Sequence, residues 1–457
     1  MLALIALTVT FAATPIAPLV QDTTAAIPAA ETLADEAFKA AQAIEPGDGR
    51  RGDVYLGVAN ALIEVGRRDD ALTMMRRAVP YVRQAGATLV FETLAPTYAR
   101  LHSSEETFQW LGTIRDREQD AAAAQAIVRA AIARKDQPAV RTALPLLASR
   151  HYHGWDPSND AIMVVGWRFV GDEKQAGAWT NSIVGRRLYP GEERRFASAF
   201  TIVIEDRIQN RDVVEAERLF GELEKKLPTS DTLDPLRTNL VRAQLARSDV
   251  DAARKWASAV KTRLWRTVVH GHLAVHLFAA GKNEDAASEL ERARELAGGG
   301  AFTSNQLVME LARAGLDEQV ASICDPLLAG IDESTRTSDL RHLGGTAALA
   351  GRDSLLRAIE ARLPDGDRRQ LASRCATYFD WSENVGGLAA LLDRLEDETV
   401  VASALSRVIA RREPPRSARF EARLRALAVD RTRSLKSARL RASLLARIVN
   451  LGWAKKR

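Results

Sequence analysis

Residues 55–78 read YLGVANALIEVGRRDDALTMMRRA. Tyr55, Val58, Ala59 and Leu62 fall on one face of a helix, and Ala71, Met75 and Ala78 on one face of a second, both in the three-and-four spacing of amphipathic helices. Between them stand Gly66, which suits a left-handed helix end, and Asp69 and Asp70, which suit the positive start of the next helix. The stretch predicts a helical hairpin whose two helices touch through small residues.

The same phrase recurs. One copy reads Leu273, Ala274, Leu277, Gly281, Ala286, Leu290 and Ala293, with Glu284 and Asp285 at the turn; another reads Leu307, Val308, Leu311, Gly315, Val320 and Leu327, with Asp317 and Glu318 there. Gly281 and Gly315 are 34 residues apart, and Arg247 stands 34 before Gly281 in a copy that carries Ala252, Trp256 and Ala259. Looser copies, such as Phe91, Leu94, Ala95, Tyr98, His102 and Leu111, keep the spacing. Further turns are placed near His102, Arg134, Gly171, Asn210, Gly351 and Ser382.

On these residues the chain resembles the tetratricopeptide repeat family, whose unit is a helix-turn-helix of about 34 residues. Tyr55, Val58, Ala59, Gly66, Ala71 and Ala78 match its pattern, and Ala34, Phe38, Ala41 and Pro46 supply the second half of a unit. Residues 155–187 and those after Pro364 depart from it most. The resemblance implies an all-α superhelix, a solenoid of about nine to eleven units over residues 31–410, curved into an elongated arc with each first helix lining a concave groove. It also implies which residues face that groove: Asn60, Glu64, Glu92, Arg100, Arg168, Arg237, Asn305, Arg313 and Arg341. Five of the nine are Arg, which suits an acidic peptide or a chain-terminal carboxylate.

A chain of 457 residues is large for one core but ordinary for a stack that grows by adding hairpins. Residues 1–20 carry no charge, and Leu2 to Leu7 followed by Ala12 and Ala13 look like the apolar part of a secretory signal, although no basic residue precedes them. Pro15 and Pro18 make the run too short for a membrane helix. Residues 1–30 are therefore read as a signal segment and spacer, and the protein as periplasmic or secreted and not membrane-spanning in its mature form. Cys324 and Cys375 do not make a disulfide framework and read as buried thiols.

Charge is concentrated at one end. Residues 411–457 hold 15 Lys and Arg against 3 acids, a net of +12 in a chain whose total is +5, so residues 1–410 stand at −7. Pro414 and Pro415 precede two further apolar stripes, so this segment reads as a basic helical hairpin. Two roles stay open for it. It docks on an anionic surface, membrane or polymer, through Arg423, Arg425, Arg431, Arg433, Lys436, Arg439 and Arg441, or it caps the last repeat with a polar outer face. Nucleic acid is disfavoured, because only Phe420 and Trp453 are aromatic there and no DNA- or RNA-binding motif is present.

Chemistry is scarce. His270, His272 and His276 cluster, and His272 and His276 share a helix face, but Leu273 stands where a metalloprotease would need Glu, and no third ligand is near. A metal-dependent enzyme built on this cluster is the weakest of three readings. Ser258 and Lys261 have a Ser-x-x-Lys spacing without its usual partners, and no phosphate-binding or nucleophile-elbow motif occurs. The expectation is a non-enzymatic scaffold without cofactor or metal that binds a protein or peptide in its groove, with the surface-docked adaptor as alternative.

Overall fold

The computed structural model describes residues 28–45, 51–84, 87–113, 117–149, 157–188, 191–227, 233–381, 383–410 and 417–452. The signal-like segment lies outside the described residues, apart from its last three positions. The described chain is helical, with no β-strand. In order the helices are α1 (Ala30–Gln42), α2 (Arg51–Glu64), α3 (Arg68–Gln84), α4 (Ala87–Leu101), α5 (Ser104–Gly112), α6 (Arg117–Ala133), α7 (Gln137–Ser149), α8 (Pro157–Phe169), α9 (Glu173–Gly185), α10 (Glu193–Gln209), α11 (Val213–Lys226) and α12 (Asp234–Ala246). They continue with α13 (Val250–Ala259), α14 (Arg263–Ala279), α15 (Asn283–Ala297), α16 (Ala301–Arg313), α17 (Asp317–Ala329), α18 (Thr337–Leu349), α19 (Asp353–Arg362), α20 (Asp365–Trp381), α21 (Val385–Arg394), α22 (Glu398–Ala410), α23 (Ala418–Ser434) and α24 (Ala438–Asn450).

Each even-numbered helix turns back into the odd-numbered helix that follows, which gives eleven consecutive hairpins from α2/α3 to α22/α23. The hairpin turn is one device used repeatedly. Gly66, Lys135, Gly171, Arg211, Ser248, Gly281, Gly315, Gly351 and Glu383 all have left-handed φ, between 50° and 83°. At each, the following N–H reaches back five residues, as from Arg67 to Leu62, Asp172 to Trp167, Lys282 to Leu277 and Arg352 to Ala347, which ties off the orphan carbonyls of the first helix. In five of these turns the next residue is already a side-chain cap of the second helix: Asp136, Asp172, Asp212, Asp249 and Asn384 each accept a backbone N–H of the opening turn through their side chains. Four turns that the spacing places at Arg134, Asn210, Arg247 and Ser382 have their left-handed residue one position on, without glycine.

Packing sorts the helices into two layers. Every even-numbered helix packs on the next even-numbered one, from α2 through to α24, and α24 packs on α2. The even helices thus form a closed inner ring of twelve. Odd helices lie outside and are splayed, as the convex side of a curved stack must be.

The elongated arc expected from the repeats is corrected here: α1 and α24, the first and last described helices, pack on each other. The twelfth hairpin is α24 with α1, a first helix from one end of the chain and a second helix from the other. This accounts for Ala34, Phe38 and Ala41, which match the second half of a unit: its first helix is supplied by α24. One apolar core runs through the junction, with Leu33, Ala37 and Leu56 in the same cluster as Leu444, Leu445 and Ile448. At its edge Arg433 makes a two-pronged pair with Glu36 at 2.5 and 2.9 Å, and Asn450 donates to the carbonyl of Gly57 at 3.0 Å.

Glycine permits the tightest contact within the inner layer. A Cβ built on Gly345 of α18 would lie 2.1 Å from Cε2 of Tyr378. That absence lets Tyr378 of α20 cross over α18 and donate from its hydroxyl to Asn305 of α16 at 2.9 Å. Gly345→Ala is expected to destabilise the protein by about 1–3 kcal/mol in chemical unfolding, because Tyr378 must move. Gly177→Ala on α9, where nothing lies within 4 Å, is expected to stabilise it by about 0.4–1 kcal/mol. Equal effects at the two positions would contradict the packing described.

Candidate functional site

An inner-ring helix is covered by two ring neighbours and by its outer partners, so only a narrow stripe stays open to the centre. On α12 that stripe is Pro235, Asn239, Arg242 and Ala246, with a buried side chain at nearly every other position. On α22 it includes Thr399, Ser403 and Arg407, and on α24 Ser443 and Arg447. Twelve helices side by side do not fill the middle of their own ring; at about 9 Å spacing a round ring leaves an opening on the order of 20 Å.

The free charge on this stripe is basic. Arg129 of α6, Arg242 of α12, Arg407 of α22 and Arg447 of α24 are exposed and make no hydrogen bond or ion pair with any described residue. Arg447 is exposed and yet desolvation by the surrounding protein lowers its guanidinium pKa, as expected of a side chain in a concavity. Inner-layer carboxylates are mostly engaged already: Glu64 by Arg100 at 2.8 Å, Asp206 by Arg168, and Glu310 by Arg313 at 2.7 Å. Asp53, in the first turn of α2, is an exposed acid on the same layer.

The residues expected to face a groove mostly join one repeat to the next. Asn60 donates to Thr97 at 2.7 Å and accepts from Arg100 at 2.8 Å, so Asn60, Glu64 and Arg100 are brought together as a clamp between α2 and α4. Arg168 bridges to Glu173 at 3.4 Å and to Asp206 on α10. Arg341 bonds Asp367 and Gln370 of α20 at 3.1 and 3.2 Å. Arg313 pairs within its own helix, and Glu92 falls on α4 with its side chain outside the description. Two assignments are corrected: Arg237 is 0% exposed and Asn305 1%, so neither faces a partner. Helix periodicity gave each first helix one buried face, whereas a ring helix is buried on three sides.

The basic C-terminal residues divide similarly. Arg425 pairs with Glu421 at 2.5 Å, Arg431 with Asp393 at 2.6 Å and Arg433 with Glu36. Arg441 donates to the carbonyl of Leu435 at 2.8 Å, and Arg439 also has an interaction partner. Lys436 is exposed, while its backbone N–H is held by Glu398 at 2.7 Å. Arg423 is exposed on α23.

The three histidines do not converge. His270 meets Glu289 at 2.8 Å beside Arg254, and that hydrogen bond holds the Glu289 carboxyl below its ordinary range. His272 meets Glu310 at 3.3 Å on another side. Among the described residues no group of His, Cys, Asp and Glu is arranged to hold a metal ion. Cys324 and Cys375 are buried free thiols; burial pushes Cys324 up to about 12 and raises Cys375 as well.

Burial lowers the His272 pKa from 6.5 to about 4, against the pull of Glu310 and with help from Arg242 and Arg313. At neutral pH its imidazole is therefore neutral beside Glu310. Between pH 6.5 and 4 the unfolded chain binds the proton and the folded chain does not, so stability falls as pH falls through that window. The loss is on the order of 3 kcal/mol. His272→Gln, which removes the titrating imidazole and keeps a polar side chain of similar size, is expected to flatten this part of the curve in urea unfolding followed from pH 7 to 4.5; an unchanged slope would mean His272 is solvated.

Compared with known protein families and with curated proteins, the chain matches none. Among solved structures it is similar to a "circular tandem repeat protein with novel repeat topology and enhanced subunit contact surfaces", at 16% identity and a TM-score of 0.15, over 92% of this chain and 96% of that one. At that score the likeness adds nothing to the helix packing. The chain is a helical repeat protein on its own architecture, and no described helix is long and apolar enough to cross a membrane.

Proposed function

We propose that the protein is a non-enzymatic scaffold, a divergent relative of tetratricopeptide repeats, that binds a polypeptide against the inner face of its ring. The observation that supports this most is the set of free guanidinium groups of Arg129, Arg242, Arg407 and Arg447 on four different inner helices. Unpaired arginines facing a shared concave space make a positive potential that attracts an acidic partner and is not consumed by the fold. Export to the periplasm or outside the cell is part of the same reading, and rests on the apolar residues 1–20.

The alternative, docking on an anionic surface through the C-terminal helices, is favoured by no specific contact. Three of the arginines it needs are engaged with Glu421, Asp393 and Glu36. The test is affinity capture from the envelope fraction with wild type and with Arg129, Arg242, Arg407 and Arg447 all changed to Ser. Proteins retained by wild type and lost by the variant support the inner face; identical retention, with both proteins folded by circular dichroism, removes it.

A further inference from the structure

The turn end of α10 and α12 carries a cleft of about 630 Å³. Its polar wall holds three arginines, Arg211, Arg242 and Arg247, all exposed. None of the three makes an ion pair or a side-chain hydrogen bond with a described residue, whereas Arg100, Arg168, Arg207, Arg237, Arg313 and Arg341 on the same layer are all bonded to acids. The cleft's own carboxylate, Glu205, accepts instead from Asn239 at 3.1 Å and leaves the guanidinium groups free.

Its other wall is aliphatic. Ile208, Ala243 and Val213 line it, and next to Val213 stands Val214, a large apolar side chain that is 69% exposed at the start of α11. Helix dipoles do not explain the charge. The C-terminal ends of α10 and α12 attract cations, but α11 and α13 begin in the same turns, and the two ends oppose each other.

We propose that this cleft is a docking site for a short acidic polypeptide segment that carries an aliphatic side chain, its carboxylates on Arg211, Arg242 and Arg247 and its aliphatic group against Ile208 and Val213. Guanidinium groups bind carboxylates through paired, charge-assisted hydrogen bonds. No aromatic side chain lines the cleft, so it lacks the stacking platform that single-stranded nucleic acid uses. The inference rests on the inner-face reading above and narrows it to one place and one chemistry.

The experiment is fluorescence anisotropy on the full-length chain with a labelled, end-blocked peptide of alternating Glu and Leu. The Lys and Leu counterpart and a labelled oligothymidylate of equal length serve as comparison probes. The acidic peptide is expected to bind, to weaken as salt rises, and to lose at least tenfold in affinity in the Arg211→Ser, Arg242→Ser, Arg247→Ser triple variant. Arg76→Ser with Arg77→Ser, two exposed arginines on α3, is expected to change nothing. These substitutions lie at exposed positions, so folding is not at stake; an unaltered melting curve verifies that. Equal binding by the triple variant overturns the site, and tighter, Arg-dependent binding of the oligothymidylate overturns the ligand class. If no acidic peptide binds while the envelope capture still depends on the inner face, this cleft is wrong and the scaffold reading stands. If the capture fails too, both fall.

Discussion

Replacing Arg237 by Ala is expected to cost about 3–5 kcal/mol, among the largest effects of any single substitution in the chain. Arg237 is fully buried on α12. One arm of its guanidinium donates to Asp234 at 2.7 Å, the other to Glu224 on α11 at 2.7 Å, and the group sits 5.5 Å from the Phe220 ring. Asp234 is also 0% exposed, and it accepts the backbone N–H groups of Lys261 at 3.1 Å and Thr262 at 2.8 Å at the entry to α14. Burial by itself would raise the Asp234 pKa, but those N–H donors and Arg237 together hold it below its usual range. Truncating the arginine leaves a buried carboxylate with less than its full set of partners, which is the expensive case for a buried pair.

The loss has a direction in space and in pH. Three elements, α11, α12 and the entry to α14, meet at the Arg237–Asp234 pair, so amide hydrogen exchange should accelerate across α11 to α14 and leave α2 to α6 unchanged, as nearest-neighbour coupling in a repeat stack requires. Asp234 has a depressed folded pKa, so its contribution is present above 3.8, its unfolded value, and is lost as pH falls through the folded value. In the variant, acid unfolding should begin at higher pH than in wild type. A change in stability below about 1 kcal/mol would mean that water reaches Asp234.

The sequence made the hairpins readable because each turn is a local event. A residue that tolerates left-handed φ and an acid near the next helix start are visible in a window of about five residues; the left-handed residue is where the spacing puts it at Gly171, Gly281, Gly315 and Gly351, and one position on from Asn210 and Arg247. The site was less legible, for a reason of packing. Arg237 and Arg242 are five residues apart on one helix, one sealed in the core and the other exposed. Small residues identify a packed face, but in α12 the packed faces span Leu236, Leu240, Val241, Gln244 and Leu245, and what remains is a stripe one residue wide. Choosing the polar residue on that stripe requires the positions of both ring neighbours, and these are long-range facts. A usable signal did exist in the tail. Half a repeat at Ala34, Phe38 and Ala41 with no first half, and a further apolar first helix at Leu440 to Leu451, are complementary fragments of one unit.

That complementarity sets up the second large effect. Leu33→Asp is expected to open the ring. Leu33 is fully buried in the α1 face that packs on α24, and deletion of a buried Leu to Ala alone costs about 2–5 kcal/mol; a carboxylate there adds desolvation on top. Among the described residues the two junction helices stand at opposite ends and are connected only through the other hairpins. The Arg433 pair with Glu36 is half exposed and is worth little by itself. Opening should therefore be local: fast hydrogen exchange in α1 and α24, protection retained in α12 to α16, and an increased radius of gyration by small-angle X-ray scattering as the closed ring relaxes toward an arc. Adding a synthetic peptide of residues 28–45 to a chain that lacks them should restore slow exchange in α24, because the site for α1 is made by α24 and α2 and not by the connection to α1. If Leu33→Asp leaves exchange in α24 and the scattering radius as they were, the chain ends do not pair, and the inner face is the open side of an arc.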